Sequence, residues 1–259
     1  MTGFMIDMDG TVYKGGIMIP GADAFISELR SRRIPFVFLT NNSSHGRGHY
    51  VSKLAGMGLE ASEKEVLTSA VATARYVLSR HPGAAVYPIA SPEVVEEMEG
   101  AGLRMVDEDP DIVLLTFDRT VTYEKINKGY RFLKGGAKLI ATHPDDLCPA
   151  EDGYDIDIGP FIRMFEQMCG VEATVIGKPN RLMLEMAAME MGIRPEDSVM
   201  VGDRLYTDMK MAAQAGTMSI LVLSGEATLE DLERSGMEPT FVVGSVADIP
   251  SLLDKITGH

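Results

Sequence analysis

Tryptophan is absent from this chain of 259 residues, cysteine occurs only at Cys148 and Cys169, and 24 lysines and arginines face 38 aspartates and glutamates. Each shortage excludes something. Two cysteines are too few for a disulfide framework, so an apolar core must hold the fold, and a reduced, cytoplasmic setting is expected. A net charge of -14 argues against polymeric nucleic acid and anionic membrane surfaces as partners, because both require basic patches. No apolar run approaches the roughly 18 residues of a membrane span, and no basic segment with an apolar stretch precedes the first motif. An anionic ligand must therefore be gripped locally, by a metal ion, one or two lysines or helix N-termini. What is present is ordinary globular material, with 45% hydrophobic and 24% charged residues, which excludes a disordered chain.

Short apolar runs alternate with amphipathic stretches, the pattern of a parallel sheet flanked by helices. Residues 4–6 read as strand, a Gly-rich loop passes Gly15 and Gly16, and 22–31 read as helix. Residues 35–40 (PFVFLT) read as strand, followed by helices over 46–55 and 70–79, the latter with Ser69 as candidate cap. His81, Pro82 and Gly83 break the pattern. A second series then runs strand 84–89, a helix opened by Ser91 and Pro92, strand 111–117, a helix opened by Thr122, and strand 138–142. A loop rich in Pro, Asp and Gly leads to a helix over 160–168. Alternation resumes with strand 174–176, a helix capped by Asn180, strands 198–201, 219–223 and 240–243, and a helix from about Thr207. The expected class is α/β, with a Rossmann-like parallel-sheet core from residues 1–81 and 175–259 and an α/β domain inserted over 82–174. Met183, Met186 and Met189, at helical spacing, read as core filler.

The polar residues fall where such a sheet binds ligands, beyond the carboxyl ends of its strands. Asp7 and Asp9 close the first strand, and alternation turns both the same way while Met8 points back into the sheet. Like charges held so close call for a cation between them or a proton on one. Thr40 and Asn41 close the next strand, Lys178 follows another, and Asp203 and Asp208 follow a fourth. Singly, each has an ordinary reading: a turn, a solvated lysine, a first-turn carboxylate favoured by the helix dipole. Four such strand ends together point to one site.

DMDGT, a strand ending in Thr40, the lysine of GKP and the acidic GDRLYTD resemble, in this order, the haloacid dehalogenase superfamily. LTNNSS, ILVLSG and an insertion between the second and third motifs are similar to its phosphatase branch with a large alpha/beta cap, the NagD-like or 4-nitrophenylphosphatase-like proteins. IATHPDD resembles an ATNPD segment of these relatives, with His143 in place of Asn, whereas CPAEDGYDIDIGPF departs from their Gly-rich stretch.

The resemblance implies a phosphoryl-transfer enzyme, a phosphatase, with Asp7 as nucleophile forming an aspartyl-phosphate and Asp9 as general acid and base. It implies Mg2+ held by the Asp7 and Asp203 side chains and the Asp9 carbonyl, with Asp208 behind them orienting water or Lys178. Thr40, Asn41 and Lys178 would hold the phosphate. The inserted cap would set specificity through the loop over 142–159, with His143, Asp145 and Tyr154 as candidates. Expected substrates are small phosphorylated metabolites, nucleoside monophosphates or sugar phosphates, and a homo-oligomer stays open. The alternatives are a catalytically idle phospho-ligand sensor and a phosphomutase. A sensor has no need of Asp9, and the large insertion points away from a mutase.

Overall fold

Parallel strands buried on both faces read as unbroken apolar runs, and Phe4, Met5 and Ile6, each 0% exposed, are such a run. Their strand, Gly3–Asp7, pairs in parallel with Phe36–Thr40 on one side and Ser198–Gly202 on the other. Met218–Val222 and Phe241–Val243 extend the sheet in parallel beyond Ser198–Gly202, and Val66–Thr68 lies at the opposite edge, giving six strands. The computed structural model describes residues 1–150 and 153–258.

By its internal contacts the chain divides into two units, Met1–Thr40 with Arg47–Leu67 and Lys178–His259, and Asn41–Gly46 with Thr68–Gly177. In the first, helix Ala22–Ser31 buries Ala22, Phe25, Ile26 and Leu29, the spacing of one helix face. Phe25 meets Phe4 edge to face at 5.9 Å between ring centroids, and truncating such a core aromatic to alanine costs about 3–5 kcal/mol. Asn180 caps helix Arg181–Met191 by accepting the Leu182 N–H at 2.9 Å. Met183 and Met186 are core residues, as their spacing suggests. Met189 is 54% exposed and is not.

The second unit has its own sheet of five parallel strands, in the order Thr174–Val175, Lys138–Ala141, Ile112–Leu115, Ala85–Ile89 and Arg104–Met105. Phe165, Leu139, Val113 and Leu133 lie in its separate core. Thr122 caps helix Tyr123–Lys134, accepting the Lys125 N–H at 3.2 Å, and proline opens helix Pro92–Gly100.

Several local readings are corrected. Helix Ser69–Arg80, expected with residues 1–81, groups with the second unit because it packs along Pro92–Gly100. Its cap is Thr68, which accepts the Val71 N–H at 3.2 Å, while Ser69 donates its hydroxyl to the Asn41 carbonyl. Within the expected loop over 142–159 an antiparallel hairpin forms from Leu147–Ala150 and Gly153–Ile156; Glu151 and Asp152 lie outside the described residues. The Gly15–Gly16 loop is likewise a small hairpin, Tyr13–Lys14 with Ile17–Met18.

Candidate active site

The chain must turn sharply where strand Gly3–Asp7 ends. The Met8 carbonyl accepts the N–H groups of Val12 at 2.8 Å and Tyr13 at 3.1 Å, and Gly10 donates to the Tyr13 carbonyl at 2.7 Å. Gly10 has φ +90, and a Cβ there would lie 2.2 Å from Asp203 Oδ2, so both conformation and space require glycine. Met8 points into the core at 1% exposed, whereas Asp7 is buried and polar.

Lys178 reaches the same place from the opposite end of the chain. The residue is 3% exposed, and its ammonium donates to Asp7 Oδ1 and, at 2.7 Å, to Asp208 Oδ1. Burial pulls the ammonium toward neutrality, but Asp208 and Asp7 outweigh it and hold its pKa above the ordinary lysine value. Asp208 also accepts the Arg204 N–H at 3.2 Å. Burial raises Asp208 above the usual carboxylate range despite Lys178.

Asp203 directly follows strand Ser198–Gly202. Burial, then the charges of Asp7 and Asp208, push its carboxyl up to about 8. Its Oδ2 accepts the Glu226 N–H at 2.7 Å, while Oδ1 is buried with no protein partner. Oxygens of Asp7, Asp203 and Asp208 converge within 4.8 Å of one another. Three carboxylates around one ammonium leave negative charge for a hard divalent cation to balance, and the unpartnered Oδ1 of Asp203 is a ligand atom with nothing else to do. The donor set fits Mg2+.

Asp9 keeps exposed surface. Protein packed against its inner side raises its pKa, outweighing the opposite pull of Lys53, Arg204 and Lys14. Lys53 itself sits over the Tyr13 ring, 4.0 Å from the centroid. Sequence reasoning missed Lys53, Arg204 and Glu226 beside this site. Arg204 stands next to Asp203 and could have been read from GDRLYTD, whereas Lys53 and Glu226 leave no spacing signal.

Thr40 ends strand Phe36–Thr40, in which Leu39 pairs with Asp7. Asn41, the next residue, groups with the second unit, where its side-chain N–H donates to Asp145 Oδ2 at 3.0 Å. His143, expected to touch substrate, is 0% exposed. Its Nε2 lies 2.8 Å from Asp157 Oδ1 and its Nδ1 3.0 Å from Thr142 Oγ1, so both ring nitrogens tie the loop internally, which corrects the expectation. Tyr154, on the hairpin, is 71% exposed.

A cluster of carboxylates around a buried lysine, at the carboxyl ends of a parallel α/β sheet, is the layout of a phosphoryl-transfer core. A family profile described as haloacid dehalogenase-like hydrolase matches residues 4–104, and one described as HAD-hydrolase-like matches 175–249. An acid sugar phosphatase of Staphylococcus epidermidis is 36% identical over 239 residues, 92% of either chain. The 5'-nucleotidase YutF of Bacillus subtilis is 32% identical over 246 residues, 95% of this chain and 96% of that one. The crystal structure of 4-nitrophenylphosphatase from Thermotoga maritima superposes with a TM-score of 0.91 at 39% identity, covering 97% of each chain. The chain belongs to the haloacid dehalogenase-like hydrolases, among relatives named phosphatases.

Proposed function

We propose that this chain hydrolyses phosphate monoesters of small metabolites, sugar phosphates or nucleoside monophosphates, through an aspartyl-phosphate on Asp7. The observation that carries the reading is the Lys178 ammonium shared by Asp7 and Asp208 beside the unpartnered oxygen of Asp203. Asp7 attacks phosphorus, the ester P–O bond breaks, and the departing alkoxide takes a proton from Asp9. Asp9 then removes a proton from water, the water oxygen attacks phosphorus, and the bond to Asp7 breaks to release inorganic phosphate. A carboxyl raised above its usual range, as at Asp9, suits a residue that must first give a proton and then take one.

The Asp7 and Asp203 carboxylates and the Asp9 carbonyl would hold Mg2+, which would supply charge neutralisation at the phosphate oxygens. Lys178 adds a fixed positive charge, Thr40 a hydroxyl and Asn41 a backbone N–H to the phosphate. Asp208 orients Lys178.

The second unit serves in this reading as the specificity cap, with Asp145 and exposed Tyr154 as the candidates for reading the leaving group. Relatives of comparable similarity are named for a sugar, a nucleotide and an aryl phosphate, which supports one chemistry with a variable leaving group. A panel of phosphorylated metabolites with Mg2+, followed by phosphate release, tests the reading. Asp7→Asn is expected to lower turnover more than roughly a thousandfold, about 4 kcal/mol of transition-state stabilisation. Turnover within tenfold of the parent removes Asp7 from the mechanism.

A further inference from the structure

Beyond strand Met218–Val222 the chain makes a turn over 224–226 that closes on Asp203. Ser224 Oγ donates to the Gly10 carbonyl at 2.8 Å, joining this turn to the loop that carries Asp9. The Glu226 N–H donates to Asp203 Oδ2 at 2.7 Å, and the Ala227 N–H to the Asp203 carbonyl at 3.1 Å. Gly225 lets the turn approach this closely: a Cβ there would lie 1.9 Å from Asp203 Oδ2. The Glu226 carboxylate accepts in addition from the Tyr206 hydroxyl at 3.0 Å and forms an ion pair with Arg204, whose Nε lies 3.1 Å away, anchoring the turn's far side.

We propose that this turn is a clamp that decides which oxygen of Asp203 is offered to the divalent cation. The inference rests on Asp203 being a cation ligand, as proposed above. A carboxylate free to rotate presents either oxygen and loses that freedom when it binds. Here Oδ2 is captured by a backbone N–H, and Oδ1 stays buried and unpartnered. Outer partners that fix a ligand's orientation typically govern metal affinity by 10–100-fold. Ser224 and Gly225 are thus positioning residues, acting on the cation through Asp203.

The test titrates Mn2+, a hard divalent probe, into the intact chain without substrate, reading free ion by electron paramagnetic resonance. Ser224→Ala is expected to weaken Mn2+ binding roughly tenfold, and Gly225→Ala to fall toward the roughly hundredfold end of that range. Ser224→Thr keeps the hydroxyl and should bind as the parent does. In parallel, Ser224→Ala should need more Mg2+ for half-maximal hydrolysis of an aryl phosphate yet regain the parent's kcat at saturating Mg2+. Circular dichroism verifies folding; if Gly225→Ala does not fold, the Ser224 pair decides. Mn2+ affinity within twofold of the parent in Ser224→Ala, or kcat lost at saturating metal with affinity unchanged, overturns the clamp. A parent chain that binds no Mn2+ overturns the cation reading itself and the clamp with it.

Discussion

Replacing Lys178 with methionine removes the buried ammonium shared by Asp7 and Asp208 and retains much of the side chain's bulk. Two charge-assisted hydrogen bonds disappear, each worth about 1.5–3 kcal/mol. Asp208, with 0% exposed surface, loses its counter-charge, and breaking a buried pair from one side costs about 3–5 kcal/mol. The variant has one way out: burial already holds Asp208 above its ordinary value of 3.8 against the pull of Lys178, so without the lysine it takes up a proton. That fixes the sign of the pH dependence. Between 3.8 and the raised value the folded variant binds a proton that the unfolded chain does not, so its stability falls as pH rises through this window and then levels off. The penalty relative to the parent should be about 3 kcal/mol or more near pH 8 and smaller near pH 5. Urea unfolding of both chains without divalent cation, followed by circular dichroism, measures it as a shift in midpoint at constant slope. Aryl phosphate hydrolysis should fall at least roughly a hundredfold, since a preorganised positive group is lost. A penalty below about 1 kcal/mol at both pH values, the range of an exposed pair, would refute the argument that Lys178 is a buried counter-ion.

Other consequences are open to measurement. Asp9→Asn should slow alkyl phosphates far more than aryl phosphates, whose leaving oxygen hardly needs a proton, and phosphorylated Asp7 should accumulate; equal losses without a trapped phosphoenzyme count against the assignment. Replacing Tyr154 with alanine or Asp145 with asparagine should reorder preference among sugar phosphates and nucleotides while sparing a small aryl ester, and an unchanged ranking moves specificity to the first unit. Burial pulls the His143 imidazole down, but its hydrogen bond to Asp157 and the charges of Asp157 and Asp145 hold it above 6.5. Its stabilising contribution is therefore complete below 6.5 and lost as pH rises through the raised value. The gap in melting temperature between parent and His143→Gln should narrow from about pH 6 upward, and a constant gap refutes that linkage.

What the sequence by itself determined lies where a local pattern has a single structural meaning. Apolar runs separated by amphipathic segments specify a parallel α/β fold, and Asp7 and Asp203 could be placed because strand ends are visible in the chain; Lys178, read as following a strand of the core sheet, instead follows Thr174–Val175 of the second unit's sheet. Helix Ala22–Ser31 has the bounds its periodicity predicts. Only the tertiary structure decided what depends on partners distant in sequence. His143 looked like a substrate contact because a histidine in an acidic loop carries no mark of burial, and Asp157 Oδ1 with Thr142 Oγ1 turned it inward. Ser69–Arg80 went to the second unit through its neighbour Pro92–Gly100. The pairing of Leu147–Ala150 with Gly153–Ile156 escaped notice because Pro149 and the acidic sequence after it are poor strand signals. The hold on Asp203 comes from the N–H of Glu226, and every residue but proline has one. A backbone donor has no letter in the sequence, so its aim is known only once the chain has folded around it.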